Sequence, residues 1–290
     1  MFNMMKIIGR ELQDVTQAFS FDRTSTQTLD LCMAPGGFTS ITLEEKPTGV
    51  VDAFSLPDAD EGFRVLVGHG KKDPRVQVHR TDVTMWPGEL GVQTVPGGHL
   101  EPSDFHFGWP FPRQLYDLVI CDGQTLRKQP ARKEEVDRGV GKDDVNVAER
   151  QEVESDRWDR GTLLVLLHRC HKWRIFRLLK AFDSFSDTQL FKPTVFHREK
   201  SSFYLIAKNV QPDHEEAIRA LRGFRDKWFA ATFGFERDAT AKDEWLSADE
   251  IQSLLLEFGP KFKELARPVW ATQAEALRNA KWMPPRDDSK

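Results

Sequence analysis

Short apolar runs alternate with stretches of helical spacing along the first two thirds of the chain. Met4 to Phe19 opens as a helix, with Ile7, Ile8, Leu12, Val15 and Phe19 near one side. Leu29 and Leu31 lead a buried strand into a turn, and a helix is expected from about Phe38. Gly49 to Leu56 and Arg75 to Val83 have the β-branched and apolar content of a second and third strand. Leu115 to Cys121 and Gly161 to Leu167 read as further strands, Trp173 to Phe182 as an amphipathic helix, and Phe191 to Asn209 as a last pair of strands. Parallel strands joined by helical crossovers arrange such a series economically, so the expected class is α/β, a Rossmann-like sheet with flanking helices.

From Asp213 the pattern turns helical. His214 to Phe229 places Ile218, Leu221, Phe224, Trp228 and Phe229 on one expected buried face. Ser247-Ala-Asp-Glu250 resembles a capping box, and Ile251, Leu254, Leu255 and Phe258 follow until Gly259-Pro260, which is expected to stop the helix. A third helix is expected over Thr272 to Ala280, before a polar end from Pro284 that should fray. The expected division is a domain over 1–210, with an ordered insertion at 86–113 and a charged loop and helix at 124–159, then a helical extension over 211–290. The aromatic stripes of that extension suit docking on the core, with a protein partner as the second use. Trp228, Trp245, Trp270 and Trp282 are not interleaved with an unmixed basic run, which speaks against a base-stacking platform.

The turn after the first strand, Asp30-Leu-Cys-Met-Ala-Pro-Gly-Gly-Phe38, is where the chain's chemistry concentrates. Pro35 fixes one backbone angle, while Gly36 and Gly37 permit left-handed angles and a close approach to a bound molecule. At the carboxyl edge of a first strand, such a turn is a ligand loop in open α/β sheets. No Gly-Lys-Ser/Thr and no six-residue dinucleotide fingerprint accompany it, which speaks against a polyphosphate ligand.

Bulk properties narrow the class. No apolar run approaches the roughly 20 residues of a membrane helix, and Met1 to Gly9 does not read as a secretory signal, so a cytoplasmic or nuclear protein is expected. Cys32, Cys121 and Cys170 form no Cys-x-x-Cys pair, which supports neither a disulfide framework nor a zinc ribbon. His99 and His106 lack a third ligand at diagnostic spacing, so no metal is expected. A formal charge of −4 gives no global attraction to polyphosphate; an RNA substrate would need a local basic face, and nothing indicates DNA specificity. The basic pairs within Leu126 to Asp159 are one place for such a field, but interleaved acids weaken it.

Asp-x-Cys-x-x-Pro-Gly-Gly-Phe, with Asp117-Leu-Val-Ile-Cys-Asp122-Gly further on, resembles the first and fourth motifs of the FtsJ-like and cap-type RNA ribose 2′-O-methyltransferases. The resemblance spans roughly residues 1 to 209 and includes Lys192-Pro193 and the final strand Ser-Ser-Phe-Tyr-Leu-Ile-Ala-Lys. It implies a methyltransferase sheet and S-adenosylmethionine as cofactor, held by Asp30, Cys32, Pro35, Gly36, Gly37, Phe38, Asp82, Val83 and Asp122. Asp82 matches the family's adenine-binding aspartate, although a turn-forming role reads equally well locally. Phe54 falls where many cofactor-binding sheets place a ribose-binding acid, with Asp52 two residues earlier.

The family's catalytic tetrad is Lys-Asp-Lys-Glu. Lys6 and Asp122 match the first two. The second lysine falls among Val165, Leu166 and Leu167, and the glutamate at Ser202. Arg169 and Lys172 lie near the strand's end, but an arginine makes a poor base. Two readings follow: a methyltransferase, nominally on an RNA ribose hydroxyl, or a degenerate domain of the same fold kept as a cofactor-binding or protein-interaction module.

Overall fold

The computed structural model describes residues 1–21, 25–57, 63–70, 72–86, 105–108, 110, 111, 115–123, 161–233 and 246–280. The expected loop and helix at 124–159, most of the 86–113 insertion, His99, Trp245, Trp282 and the polar end lie outside these residues.

Seven strands form one sheet in the order β3-β2-β1-β4-β5-β7-β6. They are β1 (Gln27–Asp30), β2 (Val50–Ser55), β3 (Val76–Arg80), β4 (Leu118–Cys121), β5 (Thr162–His168), β6 (Asp187–Phe191) and β7 (Ser202–Lys208). β1 to β5 run parallel, while β7 lies antiparallel between β5 and β6. β6 begins earlier than the expected Phe191: Asp187 to Gln189 are polar and only partly covered, so the hydrophobic signal misses the half of the strand at the sheet's edge.

Both faces are covered, as a parallel sheet requires. On one face α1 (Phe2–Thr16) and α2 (Gly37–Glu45) pack Met5, Ile8, Leu12, Phe38 and Ile41 against Leu118, Ile120 and Leu164. Ile7 and Val15, expected on the buried side of α1, are exposed; Met5, Ile8 and Leu12 set the true face at i, i+3 and i+7. On the other face α3 (Trp173–Phe185) lays Ile175, Phe176, Leu179, Phe182 and Phe185 over Leu163, Val165, Phe203 and Leu205.

Two further helices follow, α4 (Glu215–Phe233) and α5 (Ala248–Arg278). α4 buries Leu221 and Trp228 beside Phe105, but leaves the expected core residue Ile218 exposed. The Ser247–Glu250 capping box forms with both of its reciprocal bonds. The expected stop at Gly259-Pro260 does not occur, and the expected separate helix at Thr272–Ala280 is the end of α5. Proline removes one intrahelical donor, freeing the carbonyl four residues before it. Pro260 and Pro268 are both exposed, as are Leu256 and Glu264, so water can satisfy the freed carbonyls and the helix runs on for 31 residues. Phe258, Ala266 and Val269 join the core of the α3 face, with Phe258 and Phe262 against the Phe176 ring at 5.3 and 5.1 Å.

Among the described residues no helix is long and apolar enough to cross a membrane, and no group of His, Cys, Asp and Glu has a metal-binding arrangement.

Candidate active site

The carboxyl ends of β1 and β4 lie side by side: Asp30 is in register with Ile120, and Leu31 N–H donates to the Ile120 carbonyl at 2.9 Å. The two chain segments leaving these ends therefore bring Asp30, Cys32, Cys121 and Asp122 together. Asp30 is 2% exposed and accepts from Thr39 Oγ1 at 2.6 Å, which ties the strand end to the first turn of α2. Burial pushes its carboxyl up to about 7, against the pull of Thr39 and the Cys32 backbone N–H. Asp122 accepts from Tyr204 Oη at 3.0 Å. Its surroundings also push it up to about 7, mainly through desolvation and further through the charge of Asp30, with Tyr204 working the other way. The Cys32 thiol is raised first by its hydrogen bond with Cys121, then by burial, and it also feels Asp30 and Asp82.

The glycine loop is closed by protein. Gly36 has φ +94°, where a side chain is strained, and a Cβ there would stand 2.3 Å from Val67 Cγ2. A Cβ on Gly37 would stand 2.3 Å from Met5 Cβ. The close approach these glycines permit here is therefore to Val67 and to α1. Pro35 is buried, its carbonyl accepting from Leu66 N–H at 3.0 Å, and Phe38 is buried edge-on to Tyr204 at 5.6 Å.

Asp82 caps a short 3-10 turn over Val83–Met85, accepting from Thr84 N–H at 2.8 Å and Thr84 Oγ1 at 2.7 Å, while Val83 is a core residue. Asp52 is fully buried in mid-strand and accepts from Tyr116 Oη at 3.0 Å. Phe54 is buried among the rings of Phe111, Trp86 and His79 at 5.2, 5.5 and 5.9 Å, and the His106 ring lies tilted against Trp86 at 4.8 Å. His106, considered from the sequence as a candidate metal ligand, is part of this ring cluster.

Lys6 is not gathered with the acids. Its backbone lies against Gly37, but its ammonium pairs with Glu44, seven residues further along α2 and so about 10 Å down that helix. Of the three positions expected for the second lysine, Leu166 is opposite Tyr204 in the ladder and only partly buried, whereas Val165 and Leu167 point into the α3 core. Ser202 is buried, and its carbonyl accepts from Lys192 Nζ, which also holds the carbonyls of His197 and Lys200. Burial lowers Lys192 to about 8. The Lys-Pro signal thus marks a clamp on the β6–β7 loop.

A mostly parallel sheet with helices on both faces belongs to the open α/β class, which binds ligands at the carboxyl ends of its strands, where Asp30 and Asp122 lie. The family model for FtsJ-like methyltransferases matches residues 10–210, and the chain belongs to that family. Its cofactor is S-adenosylmethionine. Among solved structures it is similar to human methyltransferase-like protein 13 in complex with SAH, at 13% identity over 84% of this chain and 96% of that one, TM-score 0.39. It is also similar to a Plasmodium falciparum protein described as a ribosomal RNA methyltransferase, at 11% identity over 70% and 96%, TM-score 0.43. No curated protein sequence matches the chain.

The residues present fit the cofactor's charge. S-adenosylmethionine carries a sulfonium and an ammonium, and Asp30 and Asp122 are carboxylates whose ionisation is opposed until a cation arrives. The sign of the pH dependence follows. Their folded values, about 7, exceed the unfolded value of 3.8. The stability they contribute is present below the unfolded value and lost as pH rises through 7. A bound cation favours the ionised forms, so cofactor affinity is expected to rise from pH 6 to pH 8, by at most about tenfold per pH unit for each group. Calorimetry at pH 6 in buffers of different ionisation enthalpy checks this: protons should be released on binding, and a pH-independent affinity without release would contradict it.

Proposed function

We propose that the chain transfers the methyl group of S-adenosylmethionine to an RNA ribose 2′-hydroxyl, with Asp122 at the reacting centre. The observation that carries this reading is the Asp122–Tyr204 pair at the carboxyl end of β4, next to Asp30 at the carboxyl end of β1. When bound, the cofactor supplies an electrophilic methyl group. Beside the bound cation Asp122 is ionised and can accept a hydroxyl proton, and the Tyr204 hydroxyl fixes its orientation. Asp30, Cys32 and the loop Pro35–Phe38 shape the cofactor side, with Asp82 and Val83 at the end expected to take adenine. Lys6 would join this site by exchanging Glu44 for substrate.

Transfer of labelled methyl from the cofactor to RNA, followed by nuclease digestion and mass spectrometry, tests the reading directly. The expected product is a 2′-O-methylnucleoside. Leu166, Ser202 and the Lys6–Glu44 pair favour a second reading, a binding module that has lost turnover; cofactor binding without transfer to any RNA would select it. A sharper check is Leu166→Lys. It places an ammonium opposite Tyr204, and general acid–base groups contribute about 10²–10⁴-fold, so turnover on RNA is expected to rise at least about tenfold. An unchanged rate in the folded variant would speak against ribose as the acceptor.

A further inference from the structure

Charge is segregated along this chain. Acids outnumber bases overall, 45 to 41. Residues 161–182 nevertheless hold Arg169, Lys172, Arg174, Arg177 and Lys180 with no Asp or Glu, and the β6–β7 loop adds Lys192, Arg198 and Lys200 against Glu199 alone. The fold sets these segments side by side: His168 is in register with Ser202, and Arg169 N–H donates to the Ser201 carbonyl at 3.0 Å.

Arg169, Lys172, Arg198 and Lys200 are exposed, and none has a carboxylate partner among the described residues. Arg174 Nη1 is buried beside them without a hydrogen-bond partner. The imidazole of His197 is lowered first by burial and then by the charges of Lys192, Lys200 and His168, so positive potential accumulates here. Lys172 is the N-cap of α3 and makes no side-chain cap, so the positive end of that helix opens into the same face.

The face adjoins the acids. Leu166 faces Tyr204, whose hydroxyl is on Asp122, and Arg169 follows Leu166 by three residues, about 10 Å along an extended chain. We infer that Arg169, Lys172, Arg198 and Lys200 bind the phosphodiester backbone of an RNA strand and lead it across the Asp122–Tyr204 edge. The inference rests on the RNA reading above and adds the surface that holds the strand. A bilayer fits less well, because across 161–182 and 192–201 the one large apolar side chain exposed is Val195, too small to anchor the face by insertion.

The test is fluorescence anisotropy of the full chain with a short labelled single-stranded RNA of mixed sequence, across a potassium chloride series. Lys172→Glu/Arg198→Glu/Lys200→Glu is expected to weaken binding at least tenfold and to flatten the log K against log salt slope by about 0.7 for each lost phosphate contact, about two in all. Arg219→Glu, in the second turn of α4, whose chain leaves the sheet beside Gly161 at the amino end of β5, should leave RNA binding unchanged. Thermal unfolding reports whether the triple variant folds; if it does not, Lys172→Glu alone should still flatten the slope by about 0.7. No RNA binding by the natural chain, or equal affinity and slope in folded variants, would overturn the inference. Phosphatidylserine vesicles bound through these residues, with RNA binding untouched, would overturn it in favour of a membrane. Calorimetry with S-adenosylmethionine on the same preparations reads the enzyme assignment separately: RNA binding lost in the variant without cofactor binding by the natural chain would keep this surface and sink the methyltransferase reading.

Discussion

Asp122→Ala is expected to lower methyl transfer by at least about 10²-fold, the usual contribution of a positioned acid or base. Asp122 directly follows β4, beside the end of β1, and is the carboxylate held by Tyr204 Oη at 3.0 Å. Alanine removes both the proton acceptor and the charge facing the cofactor. Asp122→Asn separates the two losses from a folding defect, since its amide oxygen can still accept from Tyr204. Both variants should lose turnover in single-turnover assays at saturating cofactor, and the asparagine variant should keep the unfolding midpoint of the natural chain. Turnover within about twofold of the natural chain would remove Asp122 from the reacting centre.

The second large effect is on the fold. Gly37→Ala is expected to cost more than about 3 kcal/mol, beyond the usual range for an added methyl group. The new Cβ would lie 2.3 Å from Met5 Cβ, 2.9 Å from the Phe2 carbonyl oxygen and 3.1 Å from the Lys6 nitrogen. Two of those neighbours are backbone of α1, which cannot turn aside as a flexible side chain would. Relief requires α1 to lift from α2, exposing Met5, Ile8 and Leu12. Urea titration followed by far-ultraviolet circular dichroism measures the shift in midpoint; a loss below about 1 kcal/mol would show that α1 is not docked as described.

The strands were legible because each is a short apolar run bounded by turn residues, and the glycine loop because only a few side chains tolerate its geometry. What escaped the sequence depends on partners distant in the chain. Gly37 reads as an opening toward a ligand, yet its missing Cβ is occupied by Met5, 32 residues earlier. Lys6 is at the motif's spacing, but Glu44 is within reach of its ammonium. Periodicity treats Val165, Leu166 and Leu167 alike; the ladder sets Leu166 opposite Tyr204 and turns the other two toward α3. Pro260 reads as a stop because local rules treat a missing donor as fatal, whereas on an exposed helix face water takes up the freed carbonyl. The basic face was missed because 161–182 drew attention as strand and amphipathic helix, and its charges gain meaning only beside the loop 192–201.

The long final helix has a consequence for where this protein can be cut. The family match ends at residue 210, yet Phe258, Ala266 and Val269 complete the core over α3, and Gln273 Nε2 reaches back to the Glu199 carbonyl at 3.3 Å. At the other end the match begins at Arg10, leaving out Met5 and Ile8 of α1. The recognisable catalytic segment is thus braced from both sides by unmatched sequence. α5 acts as a buttress whose upper end steadies the loop bearing Arg198 and Lys200, and a fragment trimmed to the familiar borders would lose the wall as well as the decoration.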